Sequence, residues 1–210
     1  MAPVPPTPPA GLAILGGSFN PPHQTHLRLV RAALRLLPVT EVRVIPAGDH
    51  PHKRGGDLAP AAHRLAMCRL AFADEPRVVV DDRELRRAGP SFTVDTLREL
   101  TAEAPGRRLY FLIGSDNLPL LCTWRDHHAL LQLATVVTYP RRGHAIDAAR
   151  LAGLDLTAAE RTALLANVLD EPADDVAASD LRRRWRAGER DLAAIPAAVR
   201  RYLLEHRVYE

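Results

Sequence analysis

Residues 16–26 read Gly16-Gly17-Ser18-Phe19-Asn20-Pro21-Pro22-His23-Gln24-Thr25-His26, a glycine-opened turn with two histidines one helical turn apart. An apolar run over residues 12–15 precedes it, and an amphipathic stretch over residues 26–37 follows. Strand, glycine turn and helix is the order that brings an anion against backbone N–H groups at a helix N-terminus. Glycine serves such a turn because it has no Cβ to hold the anion away. The imidazoles add N–H donors, charged if protonated, where a phosphate would sit. A Gly-Gly pair after a strand also serves as an ordinary tight turn, and His23 taken alone reads as a surface residue. The run of consecutive positions suited to one purpose favours phosphate. The pattern is neither G-x-G-x-x-G nor G-x-x-x-x-G-K-[ST], so dinucleotide-fold and P-loop chemistry are disfavoured.

Lysine usage points the same way. The chain has 28 Lys and Arg residues, and Lys53 is the sole lysine. Where Arg fills ordinary surface positions, a retained Lys suggests a need for a compact ammonium that a planar guanidinium does not mimic. Chance survival is the plain alternative, and the neighbours His50-Pro51-His52 weigh against it. Farther on, Gly114-Ser115-Asp116-Asn117 pairs a close-approach glycine with a carboxylate suited to ribose hydroxyls. Ser179 and Arg182, at the start of a late helix, suit a phosphate tail. Cationic groups around a polyphosphate, without an acid–base dyad or a protein nucleophile, suit phosphoryl or nucleotidyl transfer. Catalysis there is mostly positioning and charge neutralisation.

These residues need a frame. Apolar β-type runs predict strands at residues 13–15, 42–45, 77–80, 109–113 and 135–138. Helical periodicity lies between them at residues 25–37, 60–72, 93–102 and 126–133. Alternation of this kind predicts an α/β fold with a doubly wound, mostly parallel sheet of five or six strands. Ligands of such sheets bind beyond the carboxyl ends of the strands. Every loop named so far follows a predicted strand, so all should meet on one rim. Beyond Arg142 the pattern turns helical, near residues 148–151, 158–169, 179–187 and 196–206. A short strand is expected near Asp175, and Ser179 as an N-cap. The expected division is a disordered proline-rich lead-in over residues 1–10, a core over 11–145 and a small C-terminal helical portion over 146–210, one functional domain overall.

Composition sets outer bounds. The 210 residues are 47% apolar, ordinary for a globular domain. No run approaches the roughly 18 apolar residues of a membrane span. The first ten residues carry five prolines and no secretory pattern. Cys68 and Cys122 sit in apolar contexts and read as reduced core thiols, which places the chain in the cytoplasm. The net charge of +3 is small. The basic cluster Arg182-Arg183-Arg184-Trp185-Arg186 is the one hint of nucleic acid, disfavoured because aromatics are only 5% and no binding motif accompanies it.

The first motif resembles the GG[ST]F[DN]PxHxGH signature of the HxGH nucleotidylyltransferases. Pro46-Ala47 with Pro51-His52-Lys53, Ser91-Phe92-Thr93 with Thr96-Leu97, Gly114-Ser115-Asp116 and Thr123-Trp124 are similar to the nicotinate-nucleotide adenylyltransferases among them. The resemblance runs from about Leu12 to the C-terminus and is weakest between Asp147 and Val176. It implies a Rossmann-like core, with residues 146–210 completing the ATP site. It implies adenylyl transfer from ATP to nicotinate mononucleotide, with Mg²⁺ bound through substrate phosphates and no protein metal cage. By the same resemblance His23, His26, Lys53 and Arg182 are catalytic. Gly16, Gly17, Ser18, Phe19, Gly114, Asp116 and Ser179 would bind ATP. Asn20, Thr93, Trp124, Arg125 and Arg141 would bind the mononucleotide, Trp124 by stacking on the pyridine ring. From sequence alone, Trp124 reads by default as a core residue, which only the resemblance reverses, and Arg141 reads equally as a solvated loop charge.

Two positions depart from the family pattern. Thr25 stands where glycine is usual, and should narrow the space beside the phosphate. Ala177 stands where the late motif I-S-x-T-x-I-R has its first hydroxyl, which should weaken triphosphate binding. Another phosphate acceptor such as nicotinamide mononucleotide, or a nucleotide sensor without catalysis, are the rival readings. Partners are expected to be the two nucleotides, not nucleic acid or membrane, with self-association left open.

Overall fold

A computed structural model describes residues 10–48, 58–173 and 176–210. His50, His52, Lys53 and the strand expected near Asp175 lie outside the described residues. Five strands form the sheet: β1 (Gly11–Gly17), β2 (Val39–Pro46), β3 (Val78–Val80), β4 (Leu109–Gly114) and β5 (Ala134–Tyr139). Their order is β3-β2-β1-β4-β5, and every neighbouring pair is parallel. The order reverses between β1 and β4. Crossovers leave there in opposite directions and open a crevice at the carboxyl edge.

Nine α-helices are seen among the described residues: α1 (Gln24–Leu36), α2 (Ala61–Ala71), α3 (Arg83–Arg86), α4 (Thr93–Glu103), α5 (His127–Leu133), α6 (Ala148–Ala152), α7 (Ala158–Ala166), α8 (Ala178–Arg186) and α9 (Ala197–Glu205). A 3₁₀ turn spans Leu118–Thr123. The strands read as unbroken apolar runs because both sheet faces are covered. Ala13 and Leu15 of β1 point into one core, shared with α1, α2, α8 and α9. Leu12 and Ile14 point into the other, shared with α4 to α7. Helix α1 follows from its pattern: Leu27, Leu29, Val30, Ala32 and Ala33 are buried, while Arg28, Arg31 and Arg35 face solvent. It stops before Pro38, which pushes Leu37 into an extended conformation.

The C-terminal helices are not a unit apart. Leu151, Leu156 and Leu164 join the core of α4 and α5. Leu181, Trp185, Val199 and Leu203 join the core under α1 and α2. Three local expectations are corrected. Helix α7 ends at Ala166, not near 169, because Thr138 draws the chain alongside β5. Its N–H donates to Asn167 O at 2.9 Å, and its carbonyl accepts from Leu169 N at 2.9 Å, making a parallel bridge at Val168. Ser179 is not an N-cap. The first helical bond of α8 runs from Leu181 N to Ala177 O at 3.1 Å, so extended Ala177 is the cap and Ser179 lies inside the first turn. Helix α3 and the 3₁₀ turn carry too few residues for periodicity to reveal them. The basic cluster resolves into a helix with Trp185 fully buried and with Arg183 and Arg184 paired to Asp180 and Glu189.

Candidate active site

Four strand ends and three helix starts border a cleft of about 980 Å³. Gly16, Gly17, Ser18, Phe19, Asn20, His23 and His26 enter it from β1 and α1, Gly114 and Asp116 from β4, and Arg141 from beyond β5. Thr93 lines it at the start of α4, Trp124 after the 3₁₀ turn, and Ser179 and Arg182 on α8. Among the described residues, the loops that follow β1, β2, β4 and β5 thus meet at one cleft, while His52 and Lys53 of the second loop lie outside them.

The glycines of the first loop are informative for what does not constrain them. Neither Gly16 nor Gly17 has a positive φ. A Cβ on Gly16 would meet nothing closer than Phe111 at 3.6 Å, and one on Gly17 nothing closer than Phe19 at 3.4 Å. Both are ordinary contacts, so the fold itself tolerates a side chain here. The positions face the cleft, and glycine keeps its floor open for a ligand. Gly48 and Gly114 differ: a Cβ there would stand 2.2 Å from Glu84 O and 2.2 Å from Asp116 Oδ1 respectively.

The histidines form one unit. His23 is the N-cap residue of α1, and its backbone N–H donates to His26 Nδ1 at 3.1 Å. With Nδ1 accepting, the neutral His26 ring carries its proton on Nε2, as a donor. The rings lie 3.9 Å apart between centroids. Phe19, in the left-handed region at φ 47°, sets its buried ring 4.8 Å from that of His26. Burial first, then the nearby His23 and Arg141, hold the His26 pKa well below its usual value. The imidazole is thus neutral at neutral pH, and donates through an N–H rather than through a full charge.

Other parts fix the loops. Arg182 Nη1 donates to Asn20 O at 2.8 Å, tying α8 to the glycine turn. Asn20 is buried, and its Oδ1 accepts from Ala59 N at 3.0 Å and from Tyr209 Oη at 2.8 Å. Its carboxamide oxygen is engaged inside the protein and clamps the loop, while the residue also lines the cleft. Arg141 Nη2 donates to Val176 O at 3.0 Å, and its backbone N–H to Ser115 Oγ at 2.9 Å. Its Nε stands 4.0 Å from Asp116 Oδ1. Trp124 meets Phe111 edge-on, with centroids 6.1 Å apart, and leaves part of its ring toward the cleft.

Two placements differ from expectation. Arg125 is not in the cleft lining: its guanidinium lies 4.6 Å over the Phe92 ring, with Asp95 beside it. Thr25 is buried in the first turn of α1 and is not in the lining either, so its β-branch does not narrow the phosphate space. Ala177 does line the cleft.

Sequence reasoning missed Arg64 and Glu84. Arg64 is buried beneath the loops. Its Nε donates to Ala59 O at 3.0 Å, and its Nη1 to Ala47 O at 2.8 Å and Ser18 O at 3.2 Å. One guanidinium thus joins the turns after β1 and β2, a use its place in an ordinary α2 sequence does not reveal. Glu84 lines the cleft. It accepts from Thr96 Oγ1 at 2.7 Å and Gly48 N at 3.4 Å, and burial raises its pKa.

A doubly wound parallel sheet with a glycine–histidine turn at its switch point defines a nucleotidyltransferase of the α/β class. The family model described as cytidylyltransferase-like matches residues 14–184. A protein of Symbiobacterium thermophilum named "probable nicotinate-nucleotide adenylyltransferase" is 41% identical over 95% of this chain and 95% of its own. One of the same name from Albidiferax ferrireducens is 40% identical over 95% of this chain and 98% of its own. The solved Plasmodium falciparum nicotinic acid mononucleotide adenylyltransferase complexed with NaAD superposes with a TM-score of 0.75 at 19% identity, covering 95% of this chain and 97% of that one. The likeness at that identity concerns the fold. This chain belongs to the nicotinate-nucleotide adenylyltransferase family, within the cytidylyltransferase-like nucleotidyltransferases.

Proposed function

We propose that the chain transfers the adenylyl group of ATP to the 5′-phosphate of nicotinate mononucleotide. The products are nicotinate adenine dinucleotide and pyrophosphate, a step of NAD synthesis. One observation carries the reading: a polyphosphate-type site (Gly16, Gly17, His23, His26, Arg182) and an aromatic slot (Trp124 with Thr93) share one cleft.

The acceptor phosphate is a monoester, already anionic near neutral pH, and needs no base to attack the α-phosphorus in line. The protein's task is to align two phosphates and to offset charge on the departing oxygens. The turn after β1 admits the phosphates against its backbone. His26 offers Nε2–H to an oxygen on which charge develops, with His23 fixing the ring. Arg182 and Ser179 at the start of α8 hold the pyrophosphate end, and the resemblance assigns Lys53, outside the described residues, a charge for the same oxygens. Asp116 suits the ribose hydroxyls on the adenosine side. The first turn of α4, opened by Thr93, has N–H groups outside the helical ladder and suits a carboxylate. Trp124 gives the pyridine ring its face.

Among the described residues, no group of three metal-ligating side chains lies in the lining. A divalent cation fits here as an ion carried on phosphate oxygens, and Mg²⁺ is the natural one. When bound, it supplies further neutralisation of the phosphate charge. No helix among the described residues is long and apolar enough to cross a membrane. Cys68 and Cys122, both free thiols, support a cytoplasmic setting.

The test is pyrophosphate release by the full chain with ATP, Mg²⁺ and either nicotinate or nicotinamide mononucleotide, alone and in competition. Preference for the nicotinate form is expected. Equal rates would remove the carboxylate role given to α4, and tight nucleotide binding without release would make the protein a sensor.

A further inference from the structure

Away from the cleft, one group of side chains has no part in adenylyl transfer. His127 and His128 open α5 just past Trp124, their ring centroids 4.0 Å apart. Asp155, between α6 and α7, reaches both: its Oδ2 stands 3.8 Å from Nε2 of His127 and 3.8 Å from Nε2 of His128. The three donor atoms all lie within 4.8 Å of one another. Ligand atoms on a tetrahedral ion, with bonds of about 2.0–2.2 Å, sit roughly 3.3 Å apart. Each 3.8 Å pair would close by about half an ångström, and the two imidazole nitrogens by up to about 1.5 Å, to meet on one ion.

His128 is set up for such a role. Its Nδ1 stands 2.8 Å from Glu160 Oε1, and Glu160 Oε2 is itself fixed by Thr157 N at 2.7 Å. The carboxylate makes Nδ1 the protonated nitrogen and leaves the Nε2 lone pair toward Asp155. A carboxylate behind an imidazole in this way is the usual support of a metal-bound histidine. His127 is buried, and its Nε2 stands 2.8 Å from Asp155 O. Metal binding would exchange that hydrogen bond for a metal bond, the ring proton moving to Nδ1. Asp155 is exposed and gives an ion its path of entry. A plain ion pair accounts for His128 and Glu160, and the bond to Asp155 O for the place of His127; the Asp155 carboxylate facing both rings is what they leave over.

We propose that His127, His128 and Asp155 form a binding site for a borderline divalent transition cation, zinc foremost, with its remaining positions open to water. Two imidazoles and one carboxylate are the donors such ions take. They are a poor set for Mg²⁺, which prefers oxygen ligands, so the site is distinct from any ion carried on substrate phosphates. A bound ion would pin the start of α5 to the α6–α7 connection.

The test is calorimetric titration of the full-length chain with zinc chloride alone, no nucleotide present, with Co²⁺ absorption as a second probe. One saturable equivalent is expected. The Tm should rise by about 3–6 °C for each tenfold excess of zinc over its Kd. His128→Gln and Asp155→Asn alter solvent-accessible side chains; each should weaken binding at least 10-fold, with the zinc-free circular dichroism unchanged. Glu160→Gln should weaken it by about 10–100-fold, while the paired change His63→Asn in α2 with His206→Asn just past α9, a separate histidine pair with ring centroids 5.9 Å apart, leaves it intact. Undiminished binding in the His128 and Asp155 variants, or no saturable equivalent at millimolar zinc, overturns the site.

Discussion

At the scale of single residues, His26 is the neutral donor of the proposed chemistry. His26 keeps a depressed pKa through burial beside His23 and Arg141. An unfolded imidazole, with its ordinary pKa of about 6.5, takes protons that the folded ring refuses. Stability from this ring is therefore whole above about pH 6.5, and is lost as pH falls from there toward the folded pKa. The His26 ring carbon signals in an NMR titration should move below that value; a midpoint at or above it would contradict the neutral-donor role. His26→Ala should lower turnover by ~10²-fold or more in the pyrophosphate assay, the usual effect of losing a transition-state donor. Gly16 gives a sharper contrast. Its added Cβ has room within the protein, so Gly16→Ala should leave Tm unchanged while raising KM for ATP. A fall in Tm with unaltered KM would show that the glycine serves the fold.

At the scale of elements, the starts of α1, α4 and α8 border the cleft. Helix α8 begins at a residue with no side-chain oxygen, since Ala177 is extended at its N-cap. Restoring a hydroxyl should satisfy a first-turn N–H, and caps of this kind are worth about 0.5–2 kcal/mol. Ala177→Ser should thus raise Tm by several degrees and lower KM for ATP, read by thermal denaturation and initial rates. An unchanged Tm would mean that the α8 N–H groups are already satisfied. The departure at Thr25 behaves differently, because a β-branched residue buried in the first turn of α1 takes no space from the ligand.

At the scale of the whole molecule, the late helices share both cores with the sheet. Leu203 of α9 is fully buried in the same cluster as Ala13 and Leu15 of β1. Leu203→Ala should cost about 2–5 kcal/mol, and do so in a single transition. Circular dichroism and tryptophan fluorescence should melt together in the variant as in the parent. Two separated transitions would show that residues 146–210 fold as a unit of their own. The shared core also explains how Arg182 can be held within 2.8 Å of a backbone oxygen 162 positions earlier.

The succession of strands and longer helices along the chain, and the place of the glycine–histidine turn between β1 and α1, were legible in the residues themselves. Apolar runs of four to six residues and a helical stripe are local patterns, and local sterics translate them directly. So were the departures at Thr25 and Ala177, though not their opposite consequences. What the tertiary structure alone decided was which side chains turn inward or away. Asn20 engages its oxygen with Ala59 and Tyr209, Arg125 leaves the cleft to lie on Phe92, and Arg64 joins two loops from beneath. Each depends on partners far along the chain that no spacing announces, because contacts between distant segments are set by how the helices pack on the sheet.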